Sequence, residues 1–334
     1  MSILPSSGAR LSTRQIIVIV GVALWLGSML VKTGGSGVIA LATAALFMAQ
    51  VIIVGSATRT VTLRQLLWLF LMGGAMMGVG YLGGLVAPDY PAKAFVIPPM
   101  EETLKLAPVL WILWRGRKAR TWSMGVTDVM LMGAASGAGF ALVEDAYIRH
   151  AVGWTAHVAW LPITELSGGR LIVGHAIWTA LAGMMVGWAL LLRNRGMLAV
   201  GVGVCGYVWS ILDHAANNYA VHVSDWSAKL LNGITGYGWI AIYLFVIGVI
   251  AAIAMDLYII HKAPPRLPEL ELSSLGSPRG RAKAFWTMMI DQRRLAFLNF
   301  QYRRASETKR AEITDFAAPL FHSMIQRQSS PIPG

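Results

Sequence analysis

Apolar residues along this chain come in unbroken blocks, punctuated by short clusters of arginine, glycine and proline. They are too continuous for the stripe of a surface helix and show no ten-residue alternation of the kind barrel strands need. A bilayer core about 30 Å thick is crossed by roughly 20 helical residues, and the blocks, rich in Leu, Ala, Gly and Val, have that length. The pattern predicts eight spans, over 14–33, 37–57, 64–87, 97–115, 123–146, 171–193, 197–221 and 233–261. The expected fold is therefore an all-α polytopic integral membrane protein. The first block reads as a true span: it is long and lacks a small-residue cleavage site followed by a soluble domain.

The pattern changes after residue 261. APPRLPEL at 263–270 and SSLGSPRG at 273–280 have linker composition. Beyond them Phe285, Met288, Met289, Leu295, Phe297 and Leu298 stand beside the basic pairs Arg293–Arg294 and Arg303–Arg304, as in a basic amphipathic helix. The expected division is a transmembrane domain, 1–261, and a basic cytoplasmic tail, 262–334, suited to anionic lipids or to a docking role. No nucleic-acid-binding motif accompanies the basic residues, so no nucleic-acid partner is expected.

Composition and charge sharpen this picture. With 56% hydrophobic and 13% charged residues over 334 positions, a soluble domain is excluded. The net charge of +12 is unevenly spread. If the N-terminus is cytoplasmic, Arg10, Arg14, Arg59, Arg64, Arg115, Arg117, Lys118, Arg120, Arg193 and Arg195 fall inside, ahead of the tail. Lys32, Lys93, Arg149, Arg170 and Lys229 fall outside. That excess orients the chain with both termini cytoplasmic, in a multi-pass cell membrane location, a prokaryotic plasma membrane being the expectation. The single cysteine, Cys205, rules out an internal disulfide framework and reads as a small buried apolar residue.

Against this background the ionisable residues inside the blocks stand out, because they are costly in hydrocarbon. EETLK at 101–105 brings Glu101, Glu102 and Lys105; FALVE at 140–144 brings Phe140 and Glu144. GHAIWTALAG at 174–183 brings His175 and Thr179, and DHAANN at 213–218 brings His214 and Asn218. On the predicted topology all lie within a turn or two of the outer interface. Glu101 and Lys105 have the favourable i,i+4 order for an ion pair, which leaves Glu102 or Glu144 freer to act. Asp128 and Asp256, near the other ends of their helices, read as interfacial, and the outer loop 147–170, with Trp154, His157 and Trp160, as an interfacial segment.

Such a pocket has two chemistries open to it. A buried glutamate with a raised pKa can take a proton from water while His and Asn donate to an oxyanion. Alternatively Glu102, Glu144, His175 and His214 can hold a zinc ion, which activates bound water. No H-E-x-x-H motif is present to favour the metal.

Taken together, the four strings resemble the PrsW-type intramembrane proteases. EETLK is similar to their E-E-x-x-K, FALVE to their F-x-x-x-E, GHAIWTALAG to their first histidine motif, and His214 to Asn218 to their H-x-x-x-N. The resemblance covers roughly 64–260; Lys105 and Glu144 set it apart from the prenyl-protein proteases of the same wider group, while Asp145 stands where the family often has Asn. What it implies is an endopeptidase that cleaves a membrane-spanning protein near its extracytoplasmic end, with anti-sigma factors as the best-known substrate class. The catalytic residues it carries over are Glu101, Glu102, Glu144, His175 and His214, with Lys105, Phe140, Thr179 and Asn218 in support; it leaves metal dependence open. Two rival readings are a non-catalytic scaffold and a transporter or proton relay. The relay expects polar groups along a path to both faces, whereas the inner halves of these blocks are nearly free of charge.

Overall fold

The computed structural model describes residues 27, 31–87, 89, 92–115, 121–149, 163–165, 170–263 and 278–329. Its helices are α1 (Gly35–Gly55), α2 (Leu63–Val86), α3 (Lys93–Arg115), α4 (Val126–Glu144), α5 (Gly174–Leu191), α6 (Met197–His222), α7 (Trp226–Ile234), α8 (Trp239–Lys262), α9 (Pro278–Arg304) and α10 (Glu307–Ser329). A π-helical turn, Asp145–Arg149, extends α4. Strands β1 (Thr164–Glu165) and β2 (Leu171–Ile172) pair antiparallel between α4 and α5.

Among the described residues six helices are long and apolar enough to cross a membrane: α1, α2, α4, α5, α6 and α8. α3 is as long, 23 residues, but carries Glu101, Glu102 and Lys105 in its middle, together with three prolines. Of the eight expected spans, the first, 14–33, lies largely outside the described residues, as does most of the 147–170 loop. The molecule is a multi-pass membrane protein turned inside out relative to a soluble one. Leu82, Leu85, Trp114, Val200, Ile247 and Ile250 face outward, while Lys105, His175, Thr179 and Asp213 are fully enclosed.

α4 is the axis of the bundle, buried along most of its length. Its composition makes that possible. A Cβ at Gly139 would overlap the Phe70 carbonyl of α2, and one at Gly133 or Gly137 would press on the Thr179 or His175 carbonyl of α5. Without side chains at these positions the three helix backbones approach closely, which is how helices associate when lipid removes the hydrophobic drive.

The N-terminus of α4 is held by two aspartates. Asp128 accepts from Gly125 N (2.9 Å), Thr60 N (2.6 Å), Thr60 Oγ1 (2.7 Å) and Val61 N (2.9 Å). Asp256, from α8, accepts from Val126 N (3.0 Å) and Thr127 N (2.8 Å). Both side chains are buried. Asp256, and Asp128 through Gly125 N, satisfy orphan amides at the start of α4, while Asp128 also ties the 60–61 backbone to it. Cys205 departs from expectation, lying exposed on the outer face of α6.

The expected single amphipathic tail helix is two helices, α9 and α10, broken at Ala305–Ser306 and packed together through Leu295, Leu298, Ile313 and Met324 around Trp122. Arg293 and Arg294 turn inward. Arg293 Nη1 donates to the Ser56 (2.7 Å) and Arg59 (3.2 Å) carbonyls, and Arg294 Nη2 to that of Thr60 (2.9 Å). Burial draws the Arg293 guanidinium below its ordinary pKa, with Arg59 adding to the effect and Asp128 opposing it. Before any lipid is considered, this basic pair serves to hold the α1–α2 loop.

Candidate active site

Four helices deliver the ionisable residues to one place. α3 begins at Lys93, so Glu101 lies eight residues in, about 12 Å at 1.5 Å per residue. His214 lies eight residues before the end of α6, at His222. Glu144 is the last residue of α4 and His175 the second residue of α5, and the two side chains meet.

Lys105 is central. Its Nζ lies 2.5 Å from Glu102 Oε1 and 2.6 Å from His175 Nδ1, and 5.0 Å above the Phe140 ring. The expected Glu101–Lys105 pair is corrected: the ion pair is Glu102–Lys105, at i,i+3. Both spacings bring side chains together on a helix. Glu102 and Lys105 point into the bundle; Glu101, about 100° around from Glu102, also points inward but toward His214 rather than Lys105.

The two imidazoles are held in opposite senses. An ammonium only donates, so His175 accepts from Lys105 at Nδ1 and presents Nε2–H to the Glu144 carboxylate. His214 places Nδ1 at 2.9 Å from Glu102 Oε1 and therefore donates there. Its Nε2 lone pair faces the Asn218 amide at 3.3 Å, with Glu101 Oε2 at 3.7 Å. Glu102 thus serves a lysine and a histidine at once. Phe140 packs its ring at 5.0 Å from that of His175, and Thr179 Oγ1 donates to the His175 carbonyl (2.9 Å). All nine residues singled out in the sequence fall in or against this cluster.

Sequence reasoning missed three more. Trp178, fully buried, stacks on His214 with centroids 4.4 Å and planes 16° apart, and meets His175 edge-on at 5.4 Å. Its indole N–H donates to Asp213 Oδ2 (2.7 Å), and Asp213 in turn accepts from Arg170. A tryptophan in an apolar block carries no signal of its own. The adjacency of Asp213 to His214 was visible, but not its partner 43 residues away.

Glu101, His175 and His214 each place a ligand atom within 4.8 Å of the others, and all three are buried. One carboxylate and two imidazoles are a donor set suited to zinc, so these residues fit a metal ion. The set differs from the expected Glu102, Glu144, His175 and His214 in two ways: Glu101 stands in place of Glu102, whose carboxylate is taken up by Lys105 and His214, and Glu144 is not in the group. Binding through His175 Nε2 would displace its proton, as metal binding to a protonated ligand does.

Carboxylates and imidazoles thus converge inside a bundle of helices apolar enough to cross a membrane. The chain belongs to the PrsW family: the model of the "PrsW family intramembrane metalloprotease" matches residues 25–254. It is accordingly an intramembrane protease. Neither the curated proteins nor the solved structures include a match to it.

Proposed function

We propose that the Glu101, Glu102, Glu144, His175 and His214 cluster hydrolyses a peptide bond of a single-span membrane protein near its extracytoplasmic end, in an anti-sigma-factor-like substrate. The observation that carries this reading is the division of labour among the three glutamates. Glu102, 1% exposed, is committed to Lys105 and His214, whereas the Glu144 side chain is 13% exposed and the most accessible of the three. Glu144 is the general base in this reading. It takes a proton from water, the water oxygen bonds to the scissile carbonyl carbon, the C–N bond breaks, and the proton passes to the leaving nitrogen. The Asn218 amide supplies a donor for the oxyanion, and His175 Nε2–H holds the Glu144 carboxylate in place.

The metal-dependent form of the reaction is favoured by the Glu101–His175–His214 group, which would hold the ion; a bound zinc lowers the pKa of water and polarises the carbonyl. In that form Glu102 keeps His214 oriented through Nδ1, and Glu144 still moves the proton. The setting is a prokaryotic plasma membrane with eight spans, both termini cytoplasmic, and a tail, 262–334, beside anionic inner-leaflet lipids.

Glu144→Gln should abolish cleavage of a single-span substrate in proteoliposomes while expression and thermal unfolding stay near wild type; Glu102→Gln should abolish it too, with a lowered unfolding temperature because buried Lys105 loses its counter-charge. Full activity in both variants sinks the assignment. Metal content of the purified protein, with cleavage measured before and after chelation and zinc restoration, separates the two forms.

A further inference from the structure

Two hydrogen bonds through Nδ1 and Nε2 hold the His214 ring along the line joining its nitrogens, to Glu102 and Asn218. With the second of these long, at 3.3 Å, the ring keeps some play in its side-chain torsions. The Trp178 indole, nearly parallel at 4.4 Å, removes this freedom. The indole is itself aimed by one bond, from Nε1–H to Asp213 Oδ2 at 2.7 Å. Asp213 is fixed in turn by Arg170, whose Nη2 reaches both its Oδ1 (3.2 Å) and its backbone carbonyl (2.9 Å). The other arm of the fork, Nη1, bonds Asn232 Oδ1 (2.6 Å) and Thr235 Oγ1 (3.0 Å) at the end of α7. Arg170 immediately precedes β2, which lies against the Gly236–Gly238 turn.

We infer that Arg170, Asp213 and Trp178 form a positioning chain that sets the plane of the His214 imidazole and makes it depend on how β2 and the end of α7 sit over the site. A buried Arg–Asp pair is a poor way to add stability, because desolvation offsets most of its attraction. What the pair supplies that apolar packing cannot is a fixed direction for Asp213 Oδ2, and through it for the indole. None of the three residues belongs to the Glu/His cluster, and all are buried.

The inference rests on the protease reading for its kinetic arm only. Asp213→Asn retains size but has one acceptor oxygen, which can serve Arg170 or Trp178 but not both; Trp178→Phe keeps a stacking ring and loses the donor. Each should lower kcat about ten-fold or more, as outer-shell substitutions do, with KM held within about two-fold. The double variant should be no slower than the worse single one, the non-additivity expected of one chain. Arg170→Lys, which keeps the charge without the fork, should fall between Arg170→Gln and wild type. A second arm needs no turnover: with 13C,15N-histidine in micelles, the His214 ring resonance, assigned by its loss in His214→Gln, should move in Asp213→Asn and Arg170→Gln. An unmoved resonance in both, wild-type kcat per folded molecule, or additive losses overturns the proposal. If wild type itself cleaves nothing, the protease reading fails while the resonance still decides the positioning chain. If Arg170→Gln does not fold, the near-isosteric Asp213→Asn decides it.

Discussion

Lys105 shows how much one residue in an apolar block can decide. It is fully enclosed, and its ammonium serves Glu102, His175 and the faces of Phe140 and Trp178. Lys105→Met leaves the Glu102 carboxylate buried without its cation and should cost about 3–5 kcal/mol, read as a lowered unfolding temperature in detergent. Lys105→Met combined with Glu102→Met should recover most of that stability and none of the cleavage, since two apolar side chains replace the pair but not its chemistry. Recovery of activity in the double variant would make the pair purely structural. That these residues mattered was legible in EETLK. Which glutamate takes the lysine was not, because i,i+3 and i,i+4 partners are both within reach and only the neighbouring helices select between them.

At the level of elements, close approach around α4 replaces hydrophobic burial as the organising force. Gly139→Ala places a methyl group against the Phe70 carbonyl of α2, and overpacking of this kind should destabilise the bundle by about 1–3 kcal/mol. Gly78→Ala, on α2 with open space around it, is the control and should be neutral or slightly stabilising, since it removes only helix-interior glycine. Equal effects in the two variants, measured by thermal unfolding, would show that the α2–α4 contact is not tight. The glycines were visible as a small-residue pattern; which helix each one faces was not, since spacing along α4 says nothing of what packs on either side.

Across the whole molecule, the tail and the bundle meet through backbone carbonyls. Arg293 and Arg294 bond the Ser56, Arg59 and Thr60 carbonyls, Thr60 and Val61 bond Asp128, and Asp128 holds the start of α4, whose last residue is Glu144. Arg293→Ala should therefore loosen the α1–α2 loop by about 1.5–3 kcal/mol, the range for hydrogen bonds to a charged group. Faster hydrogen exchange at 56–60 would register it, and exchange unchanged from wild type would show that the loop stands without the tail. From sequence this segment was visible only as basic and amphipathic, because lipid headgroups and carbonyl oxygens both attract arginine.

From the sequence alone came the family of the protein, its all-α membrane-spanning character and the four strings whose side chains the fold brings together. Each of these depends on local composition and on spacings within one helix, where 1.5 Å per residue and 100° per residue suffice. Only the tertiary structure decided the choice of Glu102 over Glu101 as partner to Lys105, and the opposed orientations of His175 and His214. It alone brought in Trp178, Asp213 and Arg170. These are relations between helices, set by how glycine-lined backbones pack, and a one-dimensional pattern of apolar and polar positions does not carry them.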